Sequence, residues 1–325
     1  MKVIYSPRYQ IDIGPHVFPT TKYRLVHARL LEAGVVHPAD IVEPKAASWD
    51  ELALVHTTEY LRKIRGGTLS PGEIGQLELP WSEEMVESFR LMVGGTLDAA
   101  CLACGVRRSP EELRRGRDAV AQGSGPAIVC HIGGGLHHAF ANHGEGFCPF
   151  NDVAVAVRFL QSHGIERIGI VDLDVHHGNG TAFIFEPDPR VFTFSMHQQH
   201  NYPMWKPRGS LDIGLPDGTP DTRFLRELEH ALPAVMGERP RCVFYLAGAD
   251  PYEDDQLGGL RMTRDGLRRR DHMVIETVSA ADVPLVITLA GGYARQVEAT
   301  VAIHAATIEE AMHATTTPRK RERDV

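Results

Sequence analysis

Residues 167–180 read RIGIVDLDVHHGNG, and this stretch joins an apolar run to a cluster of metal-binding residue types. The run IGIV is typical of a strand that is covered on both faces of a parallel sheet. In an extended segment alternate side chains share one face, so Asp172, Asp174 and His176 are predicted to project the same way. Two buried carboxylates beside an imidazole need a cation to offset their charge. The stretch therefore predicts a divalent metal site at the end of a strand.

Similar apolar runs recur along the chain and alternate with longer segments of helical periodicity. Strands that alternate with helices indicate a single α/β domain with a mainly parallel sheet and helices on both faces. The predicted strands are VIYS (3–6), AIVC (127–130), RIGIVDLD (167–174), VFTFS (191–195), CVFYLAG (242–248) and PLVITLAGG (284–292). The predicted helices span roughly 22–33, 57–65, 82–104, 150–163, 219–236, 263–280 and 296–313.

The composition is that of a globular protein, with 325 residues, 43% hydrophobic residues and 23% charged residues. A chain of this length can form one large α/β domain, which we place at residues 1–313. The net charge of −8 disfavours a nucleic-acid partner and is compatible with cationic substrates. No run reaches the roughly 18 apolar residues of a membrane-spanning helix, and the start MKVIYSPRY lacks a signal core. We therefore expect a cytoplasmic protein with no membrane partner.

Two charged segments are predicted to lie outside the core of this domain. RRSPEELRRGRD (107–118) is predicted to form a solvated helix. ATTTPRKRERDV (314–325) is rich in charged and small polar residues, and it is predicted to be a disordered C-terminal tail. Neither segment is assigned a function.

Further candidate site residues follow three more of the predicted strands. Asp250 follows CVFYLAG and is the candidate third metal ligand, since catalytic zinc usually takes three protein ligands; a turn aspartate before proline is the alternative. His137 and His138 follow AIVC and three glycines, and adjacent histidines suit general base and acid catalysis near neutral pH. Tyr293 follows PLVITLA and could donate a hydrogen bond to an oxyanion. Because the carboxyl ends of parallel strands meet at one edge, these residues are predicted to share a pocket.

Five blocks resemble, in order, the signature blocks of the histone deacetylase family: GGGLHHAF (133–140), GEGFCPFND (144–152), DLDVHHGNG (172–180), AGADPYEDDQLGGL (247–260) and LAGGY (289–293). The chain is most similar to the short bacterial and class IV-like members. The resemblance implies the arginase/deacetylase fold, which is a single α/β domain around an eight-stranded, mostly parallel sheet. It also implies Zn²⁺ at the bottom of a narrow tunnel.

The resemblance implies a role for each candidate residue. His138 would act as general base and then as general acid, and His137 would be its electrostatic partner. Tyr293 would polarise the acyl carbonyl of the substrate. The metal site, for which Fe²⁺ is an alternative to Zn²⁺, would consist of Asp174, His176 and Asp250.

The resemblance further implies a monovalent-cation site, usually for K⁺, and a substrate tunnel. Asp172 would orient His137 and contribute to the cation site. The other cation ligands would be the backbone carbonyls of Asp174 and His176 together with Ser195 and Met196. The tunnel would be lined by Phe147, Tyr202 and Leu257, with the carbonyl of Gly146 receiving the substrate amide N–H.

One position departs from the best-known members of that family. Asn179 stands where they carry the aspartate that pairs with the second histidine, although other branches share this asparagine. Without a carboxylate partner, His138 is expected to bind a proton less tightly. The departure therefore favours the neutral form of His138, which can act as a base.

The predicted activity is removal of an acetyl or longer acyl group from an N-acylated amine by metal-activated water. Acyl-lysine proteins or peptides, acetylpolyamines and small acetylated metabolites are all candidate substrates, because the entrance loops choose among them. A binuclear manganese ureohydrolase of the same fold is one alternative, but it needs further carboxylates, and Gly248 occupies the position two before Asp250. A non-catalytic acyl-lysine reader is a second alternative, and the complete set of candidate site residues weighs against it.

Overall fold

Eight parallel strands form one sheet at the centre of the molecule. We describe the chain from a computed structural model, which covers residues 1–108 and 127–316. The strands are β1 (Lys2–Ile4), β2 (Ile41–Val42), β3 (Ile128–His131), β4 (Ile168–Asp172), β5 (Val191–Gln198), β6 (Leu211–Leu215), β7 (Cys242–Leu246) and β8 (Leu285–Thr288). Their order across the sheet is β2-β1-β3-β8-β7-β4-β5-β6.

Ten α-helices accompany the sheet in the described part of the chain. The four central strands β3, β8, β7 and β4 are buried at every position. Successive strand side chains point to opposite faces, so both faces of the sheet are covered. The helices are α1 (Lys22–Glu32), α2 (Trp49–Leu52), α3 (Thr58–Arg65), α4 (Pro71–Leu77), α5 (Glu83–Cys104), α6 (Asp152–Ser162), α7 (Asn179–Phe185), α8 (Asp221–Gly237), α9 (Arg264–Ala280) and α10 (Val297–Thr316).

The predicted α/β fold with an eight-stranded sheet is confirmed, and the sheet is parallel throughout. All six predicted strands and all seven predicted helices are present. The elements that the sequence did not predict are short: β2 has two residues, and β6 reads LDIGL with the half-exposed alternation of an edge strand. The other unpredicted elements are α2, α4 and α7.

The two predicted peripheral segments fall largely beyond the described residues. Most of the helix predicted at 107–118 lies outside them. Helix α10 continues to Thr316, so the first three residues of the predicted tail (314–325) are helical, and 317–325 lie outside the described residues. None of the helices within 1–108 and 127–316 is both long and apolar enough to cross a membrane.

The register of the central strands brings the candidate site together. Strands β3, β8, β7 and β4 are neighbours in the sheet. Leu246, the last residue of β7, pairs with Asp172 at the end of β4 and with Thr288 at the end of β8. Because the ends of the strands are level, the loops that follow them start at one edge of the sheet.

Candidate active site

Asp174, His176 and Asp250 form a buried group whose potential ligand atoms lie within 4.8 Å of one another. The Nδ1 atom of His176 lies 2.9 Å from Asp174 Oδ1 and 3.4 Å from Asp250 Oδ2. Asp250 Oδ2 accepts no hydrogen bond from the described residues although it is buried. Burial and the charge of Asp174 raise the pKa of Asp250 to about 7. Two carboxylates so placed need a cation to stay ionised together, and the donor set fits Zn²⁺.

Backbone amides hold the two carboxylates in place. Val175 N donates to Asp250 Oδ1 at 2.9 Å, and His176 N donates to Asp174 Oδ1 at 2.9 Å. Gly291 N donates to Asp174 Oδ2 at 2.8 Å, and a Cβ atom at Gly291 would lie 1.9 Å from Asp250 Oδ2. Only glycine allows the loop after β8 to approach the carboxylates this closely. The ligand group is therefore oriented before any ion binds.

The predicted histidine pair lies beside this group, and each ring has its own partner. His137 Nδ1 lies 2.7 Å from Asp172 Oδ2, and His138 Nδ1 lies 2.7 Å from Asn179 Oδ1. The two Nε2 atoms are 3.1 Å apart. The structure thus places His137, His138, Asp172 and Asn179 in one hydrogen-bonded chain next to the candidate metal ligands.

Their surroundings shift the pKa values of the two rings in opposite directions. Burial alone would lower the pKa of His137, but the nearby carboxylates of Asp172 and Asp174 outweigh it and raise that pKa to about 9. Burial, followed by the positive charge of His137, lowers the pKa of His138 well below its ordinary value. The expected direction for His138 is confirmed, but burial is the largest cause, and the hydrogen bond to Asn179 acts in the opposite sense.

Asp152, at the start of α6, holds the loop that carries the histidine pair. Gly135 N and Leu136 N donate to its carboxylate at 3.0 Å and 2.7 Å, and Thr96 Oγ1 donates at 2.5 Å. The sequence block GEGFCPFND contains this aspartate, but the pattern gave it no role. Three donors from two distant segments make Asp152 a fixed support for the loop.

Asp174 and His176 line one cavity together with the histidine pair and Tyr293. Gly146 and Phe147, two of the predicted tunnel residues, line this cavity. Tyr202 lies against His138, with ring centroids 5.0 Å apart at 90°, and is not among the lining residues. Leu257 does not line the cavity either.

Tyr293 is anchored by its backbone and lines the cavity with its ring. Its N–H donates to Asp255 Oδ2 at 2.7 Å, and its ring centroid lies 6.4 Å from that of His176. Lys22, which the sequence did not single out, is fully buried behind it, with Nζ 5.4 Å from the ring centroid. Nothing in the pattern at the start of α1 distinguishes Lys22 from an exposed lysine.

The residues of the predicted cation site adjoin one another at the ends of β4 and β5. Ser195 and Asp172 are Cα partners in the register of these strands, and Met196 follows in β5. Ser195 Oγ lies 3.0 Å from His197 Nδ1, and Asp174 N donates to Asp172 Oδ1 at 3.2 Å. The K⁺ site stays a prediction.

The family model described as "Histone deacetylase domain" matches residues 16–308. This chain belongs to the histone deacetylase family. An uncharacterized protein of Picosynechococcus sp. is 42% identical over 305 residues, which are 93% of this chain and 95% of that protein. Histone deacetylase 2 of Arabidopsis thaliana is 31% identical over 90% of this chain and 74% of its own length. Membership in the family and these relatives support a deacetylase or amidohydrolase.

A solved structure shares the fold. The crystal structure of an HDAC homolog from Aquifex aeolicus superimposes with a TM-score of 0.76 and covers 96% of this chain and 84% of that chain. The sequence identity is 23%, so the similarity shows the histone deacetylase fold alone.

Proposed function

We propose that this member of the histone deacetylase family is a metal-dependent hydrolase that removes an acetyl or longer acyl group from an N-acylated amine. The observation that carries the proposal is the buried Asp174–His176–Asp250 group, of which Asp174 and His176 line one cavity with the histidine pair. The described residues contain one group of this kind, which favours a single metal ion over the two of a manganese ureohydrolase.

In this proposal the three ligands hold Zn²⁺, with Fe²⁺ as the alternative. The bound ion would polarise the acyl carbonyl and lower the pKa of a water molecule. Asp250 Oδ2 is the buried oxygen that needs such a cation, because no described residue donates to it.

The side chains around the cavity then have distinct roles. Neutral His138 removes the proton from the attacking water and returns it to the nitrogen of the leaving amine. His137 Nδ1 lies 2.7 Å from Asp172 Oδ2, and the ring of His137 keeps a positive charge beside the proton transfer by His138. Tyr293 donates a hydrogen bond to the oxyanion that forms from the acyl carbonyl. The carbonyl of Gly146 receives the substrate amide N–H.

The lining of the cavity supports the proposed class of substrate. Phe18 and Phe147 are among its lining residues, and their rings lie 5.9 Å apart. Aromatic walls suit a slender alkyl chain that carries the acyl amide. Acyl-lysine peptides, acetylpolyamines and small acetylated metabolites all have such a chain, and we propose no nucleic-acid or membrane partner. We also propose a K⁺ ion beside Asp172 and a cytoplasmic location.

A hydrolysis panel with metal-reconstituted protein tests this function. The apoprotein would be loaded with Zn²⁺, Fe²⁺ or Mn²⁺ and assayed on amides that differ in acyl length and amine carrier. We expect one metal ion per chain and release of free amine. His176→Ala should lose both metal and activity, whereas His230→Ala, on the exposed surface of α8, should keep both.

Other results of the same panel would contradict the proposal. Two Mn²⁺ per chain with release of urea from guanidine substrates would indicate a ureohydrolase. Binding of acyl-lysine peptides without turnover under every metal would indicate a reader.

A further inference from the structure

We propose that Glu145 is a positioning residue, which acts through Asn179 to fix the tautomer of His138. The proposal rests on the proposed role of His138 as general base. It goes further by naming the carboxylate that decides which ring nitrogen carries the proton.

A continuous chain of hydrogen bonds connects the three residues. His138 Nδ1 lies 2.7 Å from Asn179 Oδ1, and Asn179 Nδ2 donates to Glu145 Oε1 at 2.6 Å. His138 and Asn179 are buried, and the side chain of Glu145 is 14% exposed. At such short distances in a protected site, each bond restricts the next.

The chemistry of the three groups makes the chain directional. An asparagine side chain has a donor end and an acceptor end, so by itself Asn179 can present either end to a histidine. An ionised carboxylate only accepts hydrogen bonds, so Glu145 must face the NH₂ end of Asn179. The Oδ1 end then faces His138, whose Nδ1 must carry the proton. The lone pair is therefore on Nε2 of His138.

The opposite side of the His138 ring agrees with this assignment. His137 Nδ1 lies 2.7 Å from Asp172 Oδ2, and its Nε2 lies 3.1 Å from Nε2 of His138. At 3.1 Å the two Nε2 atoms cannot both carry a hydrogen that points at the other ring, and a His138 ring protonated at Nδ1 leaves its own Nε2 without one. The contact with His137 is therefore compatible with the tautomer that Asn179 requires.

Glu145 is itself held as a carboxylate. Gln76 Nε2 donates to its Oε2 at 3.0 Å, and His143 Nε2 lies 3.4 Å from the same oxygen. Oε1 accepts from Asn179, and the Tyr202 side chain is also hydrogen-bonded to this carboxylate. Burial opposes ionisation, but these hydrogen bonds outweigh it and lower the pKa of Glu145. Position 179 lacks a carboxylate, and Glu145 supplies one on the far side of Asn179 from the His138 ring.

This arrangement predicts that the effect of Glu145→Gln on kcat has opposite signs in the native chain and in the Asn179→Asp variant. In the native chain, Glu145→Gln removes the group that enforces the orientation of Asn179. In Asn179→Asp, the new carboxylate would face Glu145 at the distance of a hydrogen bond, and like charges there repel. Glu145→Gln relieves that repulsion. The same substitution is thus harmful in one background and beneficial in the other.

Kinetics of four metal-loaded proteins test the coupling: wild type, E145Q, N179D and E145Q/N179D. On an acetyl-lysine amide, E145Q should lower kcat by about 10- to 100-fold with little change in KM, the range for residues that orient a catalytic group from behind. N179D should also lower kcat, and the double variant should exceed N179D. A loss of similar size from E145Q in both backgrounds would overturn the proposal, since that is the result of a merely structural role.

A second readout is independent of turnover. In protein labelled with ¹⁵N-histidine, the His138 ring of the wild type should show a protonated Nδ1 and an unprotonated Nε2. E145Q should show a mixture of both tautomers. Glu186→Gln makes the same chemical change at an exposed glutamate that follows α7, and it should retain the wild-type spectrum. A wild-type ring protonated at Nε2, or an unchanged ring in E145Q, would overturn the proposal even if no substrate is hydrolysed.

Discussion

His131 and His137 lie on the same segment and are both buried, yet their surroundings favour a neutral ring at His131 and a charged ring at His137. His131 lies 2.8 Å from the hydroxyl of Tyr9 and 3.0 Å from that of Thr96, and burial lowers its pKa to about 3. Burial acts on His137 in the same direction, but Asp172 at 2.7 Å raises its pKa to about 9. The two histidines differ because a carboxylate contacts His137 directly, whereas, among the described residues, only hydroxyl groups contact His131.

His138 has no carboxylate among the described residues as its direct partner, so its ring is neutral like that of His131 and unlike that of the adjacent His137. Its direct partner is the amide of Asn179, and its pKa is lowered well below the ordinary value. The candidate site thus combines one charged and one neutral imidazole. Proton transfer requires the neutral one, and the charged one can stabilise negative charge that forms beside it.

The largest expected effect is the loss of kcat when His138 in the candidate site is replaced by glutamine. The same replacement of His131, which lies outside the site, is the comparison. His138→Gln removes the proposed base, so kcat should fall by about 10²- to 10⁴-fold, the usual contribution of general acid–base catalysis. His131→Gln reaches the site only indirectly, through Thr96 and Asp152, so kcat should fall far less than in His138→Gln while the protein loses stability. Steady-state kinetics and thermal unfolding of both metal-loaded variants measure the two effects.

The stability loss in His131→Gln has a definite physical cause. Glutamine can replace the contact with Tyr9 but leaves the hydroxyl of Thr96 with one partner fewer, which costs about 1–3 kcal/mol at a buried site. Full turnover by His138→Gln, or a His131→Gln variant that folds normally but is inactive, would contradict the division between scaffold and site.

Tyr293 in the candidate site and Tyr9 beside His131 are expected to differ in the same way as the two histidines. Tyr293→Phe should lower turnover by about 10²- to 10³-fold, because it removes one donor to the oxyanion, and its metal content should not change. Tyr9→Phe removes the hydroxyl that contacts His131 and should lower the unfolding temperature with little change in turnover. Metal analysis, kinetics and unfolding curves of the two variants separate these outcomes. Unchanged turnover in Tyr293→Phe would exclude its proposed role.

Sequence periodicity predicted the strands and helices of the core because these are long and have one clear hydrophobic pattern. It could not predict β2 or β6, since two residues carry no periodicity and LDIGL at the sheet edge alternates with exposed positions. Helix α7 begins inside DLDVHHGNG, where glycine and histidine suggested a turn. Such elements are determined by the packing around them rather than by their own residues.

The candidate ligands could be predicted because each follows a strand and bears metal-binding chemistry. The residues that hold them could not. Glu145 and Asp152 lie in one sequence block and Lys22 lies in α1, and their roles depend on distances across the fold. The block GEGFCPFND contains both acids, but a sequence does not show that one faces an asparagine and the other two backbone amides.

The smallest expected effect concerns stability against acid, and it tests whether His131 is neutral in the folded protein. An unfolded chain binds a proton at histidine near a pKa of about 6.5. Folded His131 remains unprotonated down to about pH 3. Between these values the unfolded state holds the additional proton, so the free energy of unfolding falls as the pH falls, by about 1 kcal/mol per pH unit for one such histidine.

His131→Gln should therefore lose stability less steeply than the wild type on acidification. Urea unfolding of both proteins at a series of pH values below about 6 measures this difference in slope, and other titrating groups contribute equally to the two curves. Parallel curves would mean that the scaffold histidine is already charged, and the contrast with His137 would then fail.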